Sequence, residues 1–186
     1  YADYYENAYI NTILSSQNPE TGMTTYFQPM STGYFKVFGQ RFDKFWCCTG
    51  TGMENFTKLN DSIYFAADDT VIVNLYQSSE LVWKERGLKL QMTADLQRTN
   101  VVEIRASAIA DAAGATELAP AVKIALRIPD WVCGNPAIAV NGSVVDFETR
   151  NGFAIVDCGL FENTRISLTL PMKVDAYPLP DNSRSI

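Results

Sequence analysis

"SIYFAADDTVIVNLYQS", residues 62–78, decides the fold. Two runs of β-branched and aromatic residues flank an Asp-Asp pair, and after it Val71, Val73 and Leu75 alternate against Ile72 and Asn74. Alternation with a period of two, interrupted by turn-forming residues, marks two strands that each turn one face to a core. The same unit then recurs as "LVW" (81–83), "LKLQMT" (88–93), "VVEIRA" (101–106), "VKIALRI" (122–128), "AIAV" (137–140), "VVDF" (144–147), "FAIVD" (153–157), "RISLTL" (165–170) and "KVDAY" (173–177). Asn141-Gly142 adds a hairpin signal, because both residues accept the positive φ of a turn whose twist matches paired strands. This beat predicts a mainly β fold, an antiparallel β-sandwich of jelly-roll type over residues 61–186, with no helical pattern to suggest parallel crossovers. The Ala-rich "ASAIADAAGATELAPA" (106–121) reads as a loop or short helix.

Upstream the period changes. Ala2, Tyr5, Tyr9 and Ile13, with Ile10 and Leu14 alongside, fall on one face of a helix over residues 1–14, and Pro19 and Gly22 in "NPETG" end it. Residues 23–45 are irregular and rich in aromatics, predicting loop and short strands. Thr49 or Thr51 is placed to cap a helix running to about Leu59. Residues 1–60 thus form a helical and loop section ahead of the sandwich.

Composition limits the possible functions. Over 186 residues, 47% are hydrophobic and 19% charged, enough apolar surface for a globular core. Twenty-one acidic against 15 basic side chains give a net charge of −6, which disfavours nucleic acid and anionic membranes as partners. No apolar run approaches the roughly 20 residues of a membrane span. The opening "YADYYENAYINTIL" reads as the middle of a longer chain, so the compartment stays open. The absence of histidine removes the usual general base and the commonest metal ligand together.

The chemistry therefore concentrates in "FWCCTGTGMENF" (45–56). A disulfide between neighbours Cys47 and Cys48 would strain the backbone, whereas two thiols directed at one ion are easily built. Set just ahead of a helix, their thiolates would be favoured by backbone N–H groups and the helix dipole, with Gly50 and Gly52 admitting close approach. The alternative is a pair of ordinary buried cysteines acting as small hydrophobes. A structural zinc site wants four N or S ligands. Cys133 and Cys158, in or beside sandwich strands, read as structural, so a metal on Cys47 and Cys48 needs ligands from elsewhere.

"YADYYENAYINTIL", "TGMTTYFQPM", "FWCCTGTGMENFTKLNDSIYF", "VNLYQSSELVW", "LRIPDW", "VNG" and "LPM" follow one another as in the bacterial β-L-arabinofuranosidases of glycoside hydrolase family 127, which this chain resembles over nearly its whole length. The resemblance implies a large enzyme with an (α/α)6 barrel followed by β-sandwich domains, of which residues 1–60 look like the barrel's end. It implies a retaining mechanism in which Cys47 is the nucleophile, and Cys47 and Cys48 bind zinc. The other zinc ligands, a Glu and a Cys in a Glu-Thr-Cys motif, and the acid/base Glu would lie upstream, in a missing N-terminal barrel. The zinc site is thus incomplete here, and the chain alone is expected to be inactive. Glu6 and Tyr26 match sugar-contacting positions, and Trp46 is the expected site-lining aromatic; the expected ligand is an arabinose-containing oligosaccharide or glycan. Phe56 departs from relatives that often carry His there, and Glu54 reads as a charge favoured near a helix N-terminus. A different class also fits the pattern: a carbohydrate-binding or interdomain support module in which the thiols are incidental. A thiol redox role fits poorly, because adjacent cysteines lack the C-x-x-C turn.

Overall fold

The structure, a computed structural model, describes residues 1–31, 33–109, 122–157, 163–176, 178–179 and 182–185. It divides into two compact units, Tyr1–Phe65 and Ala66–Ile186.

In the first unit, α1 (Ala2–Ala8) continues through a π-turn (Tyr9–Ile13) and a 3-10 turn (Leu14–Ser16), close to the helix read from the apolar spacing. It stops where Asn18 turns the chain: the Asn18 side-chain oxygen accepts from the N–H groups of Glu20 (2.8 Å) and Thr21 (3.1 Å), and Gly22 takes φ 73°. Between Met23 and Phe45 the expected short strands reduce to isolated bridges, Thr25 to Phe38 and Gln40 to Lys44 among them. The second helix, α2, spans Cys47–Thr57 and is followed by a 3-10 turn, Leu59–Ser62. Its first turn holds no acidic residue, so Glu54 lies in its second half, away from the N-terminal end of the dipole where it was expected.

The second unit is a pair of sheets. Its strands are β1 (Tyr64–Ala67, whose first two residues belong to the first unit), β2 (Thr70–Val73), β3 (Ser79–Trp83), β4 (Leu88–Ala94), β5 (Val101–Ala108), β6 (Lys123–Arg127), β7 (Ala137–Val140), β8 (Ser143–Val145), β9 (Thr149–Arg150), β10 (Phe153–Asp157) and β11 (Thr164–Thr169). A small ribbon pairs β12 (Pro178–Leu179) with β13 (Asn182–Ser185). The five-stranded sheet runs β1-β2-β6-β10-β9 and the six-stranded sheet β3-β4-β5-β11-β7-β8.

Cross-strand register builds the core. In the first sheet Val71 lies opposite Ile124, Val73 opposite Leu126, and Leu126 opposite Ala154, all buried. In the second, Met92 faces Ile104, Ile104 faces Ile166, and Leu168 lies between Val102 and Ile138, again all buried. The six-stranded sheet has one apolar and one polar face, the pattern of a sandwich, whereas the five-stranded sheet also sets Ile72, Ala125 and Ile155 in register on its other face; each fully buried Leu or Ile contributes roughly 1.5–3 kcal/mol.

Three details depart from the sequence reading. β2 and β6 run parallel. The segment between them leaves to form β3 to β5 of the other sheet before the chain returns to pair β6 beside β2. "KVDAY" forms no strand over residues 173–176, since Pro171 has no N–H for the ladder and β11 ends at Thr169. A further short strand, β9, was not expected: Asn151 (φ 52°) and Gly152 (φ 80°) repeat the Asn-Gly turn seen at Asn141 (φ 51°) and Gly142 (φ 84°). Tyr177, Cys158 and residues 110–121 of the Ala-rich segment lie outside the described residues.

Candidate functional site

The cysteine pair opens α2. Trp46, extended at φ −90° and ψ 166°, is the N-cap, and its carbonyl accepts from the N–H groups of Thr49 (3.0 Å) and Gly50 (3.4 Å). Cys47 and Cys48 are therefore inside the first turn rather than ahead of it. Neither threonine caps the helix: Thr49 is 1% exposed, and Thr51 donates back to the Cys47 carbonyl at 3.3 Å. The cause is packing. Thr24 donates to the Thr49 carbonyl at 3.0 Å, and a Cβ on Gly39 would stand 3.3 Å from the Thr49 methyl and 2.9 Å from the Lys44 carbonyl. Thr49 is thus drawn inward by the loop beneath it. A Cβ on Gly52 would lie 3.2 Å from that of Thr24, so this glycine lets helix and loop meet.

With no side-chain cap, the N–H groups of Cys47 and Cys48 stay available to an anion at the Cys47 sulfur. Cys47 and Cys48 are free thiols, both exposed, with their Sγ atoms 3.9 Å apart. The ordinary buried-cysteine alternative does not hold for this pair. The Cys47 pKa is lowered, first by a hydrogen bond from Cys48 and then by one from Tyr26, against a smaller opposing effect of desolvation. Tyr26 is raised, chiefly through its hydrogen bond with Cys47, so the phenol keeps its proton while the sulfur becomes the anion.

Two cavities flank the pair. On the Cys47 side an open cleft of about 700 Å³ is walled by Tyr26, Phe27, Tyr34, Phe35 and Trp46. The Tyr26 ring meets Trp46 edge-on at 6.0 Å and Phe27 at 4.5 Å. On the Cys48 side a hollow of about 140 Å³ is lined by Thr12, Ser16, Thr25, Gln28 and Asn55. Tyr26 borders both. Cys47 therefore borders an aromatic cleft, and Cys48 a smaller hollow whose lining mixes Ile13 and Tyr26 with hydroxyl and amide side chains.

Cys47, Cys48, Tyr26 and Trp46 come together as one site. Glu6 is buried on α1 at 8% exposure and lines neither cavity, and half-buried Phe56 lines neither. Phe27, Tyr34 and Phe35 were missed individually. Their signal was the aromatic density of residues 23–45, which does not say which rings share a wall.

Two thiolates bound tetrahedrally to one zinc at about 2.3 Å each would sit about 3.8 Å apart. The observed 3.9 Å fits half of such a site. Among the described residues no group of three or more Cys, Asp or Glu converges to complete it. Cys133 is a half-buried free thiol in the other unit.

An exposed thiol pair at a helix start, walled by aromatics, together with a two-sheet sandwich, defines a class of protein that the comparisons make specific. Residues 1–61 match the model described as the β-L-arabinofuranosidase GH127 catalytic domain, and residues 70–172 match the GH127 middle domain. The chain belongs to the GH127 β-L-arabinofuranosidase family. Among solved structures it is similar to a GH127 β-L-arabinofuranosidase from Geobacillus stearothermophilus T6 (TM-score 0.76, 22% identity, covering 96% of this chain and 29% of that one). It is also similar to a glycoside hydrolase (TM-score 0.72, 21% identity, 95% of this chain and 30% of that one). A third is a GH127 β-arabinofuranosidase (TM-score 0.70, 18% identity, 95% and 28%). At these identities the likeness concerns the fold, and the chain spans under a third of the length of each structure. No curated protein matches the sequence.

Proposed function

We propose that this chain supplies the nucleophile of a retaining glycoside hydrolase that cleaves β-L-arabinofuranosides, with residues 1–60 as the end of its catalytic barrel and 61–186 as the following sandwich. The observation that carries the reading is the exposed Cys47 sulfur, 3.9 Å from Cys48 at an uncapped helix start and facing an aromatic-walled cleft. Cys47 as thiolate attacks the anomeric carbon, the bond to the leaving oxygen breaks, and water releases the sugar from sulfur in a second displacement that restores the original configuration. The acid that protonates the leaving oxygen is the family's acid/base Glu, which the resemblance places outside this sequence. Trp46 and Tyr26 present apolar faces to the sugar, while the Tyr26 hydroxyl orients the Cys47 sulfur. Cys47 and Cys48 would hold zinc, which when bound keeps both sulfurs deprotonated at neutral pH.

The test is hydrolysis of an arabinofuranoside by the polypeptide at the full length of the GH127 structures, with and without Cys47→Ser. A serine hydroxyl is neither a thiolate nor a soft metal ligand, so activity is expected to vanish while binding of the sugar persists. Near-normal turnover by the serine variant would reject the nucleophile assignment and leave the chain as a support module.

A further inference from the structure

The outer face of the six-stranded sheet carries a feature unrelated to the cysteines. Strand alternation sends Leu90, Met92, Ile104, Ala106 and Ile166 to the core, and therefore sends Gln91, Arg105 and Arg165 outward. Register sets Gln91 opposite Arg105 and Arg105 opposite Arg165. Two exposed guanidinium groups thus stand side by side on adjacent strands, an arrangement that like-charge repulsion disfavours unless an anion joins it.

The neighbouring carboxylates do not fill that role. Glu103 accepts from the Ser167 hydroxyl at 2.7 and 2.8 Å. Glu80 is engaged by Lys89 at 3.0 Å and by the Gln91 amide at 3.1 Å, contacts that hold its pKa below the usual carboxylate range. Among the described residues neither arginine has an ion pair. Both line an open polar depression of about 720 Å³ that also exposes Ser79, Gln91 and Thr93.

We propose that this depression is an acidic-glycan site, in which Arg105 and Arg165 together hold the carboxylate of a uronic acid residue. Planar guanidinium groups match a carboxylate with paired N–H donors. Ser79, Gln91 and Thr93 supply the small polar groups that sugar hydroxyls require, and Glu103 can accept from a hydroxyl. Among the described residues no aromatic ring lines the depression, so these residues hold the sugar by charge and hydrogen bonds rather than by stacking. The site goes beyond the hydrolytic reading and stands independently of Cys47, because it is tested by binding alone.

The experiment titrates the 186-residue chain with a trigalacturonate, a neutral arabinose trisaccharide and a triglutamate peptide by calorimetry, at low and high salt. Saturable binding of the trigalacturonate only, weakening with salt, is expected. R105Q and R165Q should each weaken it by about tenfold or more, as loss of a charge-assisted contact does. R98Q, which removes a cation paired with Asp95 at 3.6 Å in a turn, should bind as the unaltered chain does. Thermal melts run alongside: R105Q and R165Q should melt no lower than the parent, which separates lost contact from lost fold. No saturable binding, equal uptake of the neutral sugar, equal uptake of triglutamate, or unchanged affinity in the R105Q/R165Q double variant would each overturn the proposal.

Discussion

The Thr24 hydroxyl donates to the Thr49 carbonyl across 3.0 Å, fastening the first turn of α2 to the loop that precedes it by more than twenty residues. Through that bond the backbone carrying Cys47 and Cys48 is positioned by a residue with no chemistry of its own at the site. Thr24→Val keeps the shape and removes the donor to a buried carbonyl. The expected cost is about 1–3 kcal/mol in the first unit, read from the melting transition, with altered alkylation rates of both thiols.

Gly52 provides an independent check of the same contact. In an open helix, Gly→Ala gains about 0.8–1.0 kcal/mol from propensity. Here the new methyl would meet Thr24 Cβ at 3.2 Å, so Gly52→Ala should gain less than that or destabilise. The double change Gly52→Ala with Thr24→Ser removes the methyl at 3.3 Å but keeps the Cβ at 3.2 Å and the hydroxyl at 3.3 Å, so it should recover only part of the helix gain. A full gain in the single variant would show that the close approach is unimportant.

Tyr26 favours the Cys47 thiolate, so Tyr26→Phe removes the second of the two side-chain hydrogen bonds that lower the thiol. In metal-free chain, iodoacetamide alkylation of Cys47 follows the thiolate fraction. Its midpoint is expected to move to higher pH in the variant, with Cys48→Ser shifting it further because Cys48 is the larger influence.

Asp69 ties β2 to β6 across the parallel pair, accepting from Thr70 at 2.9 Å and from the Lys123 ammonium at 3.2 Å. These contacts lower its pKa in the folded chain. A depressed carboxylate adds stability above its unfolded pKa of about 3.9 and loses that contribution as pH falls through its folded value. The melting temperature of Asp69→Asn should therefore fall short of the parent's at neutral pH and converge with it in acid. A constant gap across the range would reject the link.

Leu168 sits fully buried between Val102 and Ile138. Leu168→Ala should destabilise the sandwich by about 2–5 kcal/mol in denaturant unfolding. Ser167→Ala, on the outer side of the same strand, should cost far less.

The two-residue alternation from Val71 onward and the Asn141-Gly142 pair were enough to predict a two-faced β unit, because a strand's pleat assigns each side chain to a face with no knowledge of its neighbours. The resemblance likewise pointed to Cys47 and Cys48 as the candidate site, and the absence of histidine narrowed the chemistry open to the rest of the chain. The sequence could not determine whether these sulfurs precede or begin the helix. That depended on Thr24 and Gly39 drawing Thr49 inward, contacts between positions 25 and 10 residues apart whose cost and gain exist only once both are packed. Nor could it place Arg105 beside Arg165, or β2 parallel to β6, since pairing partners are set by which edges remain open after the first sheets form. Local pattern settles what each residue faces; only the closed structure, where distant segments compete for the same neighbours, decides what it touches.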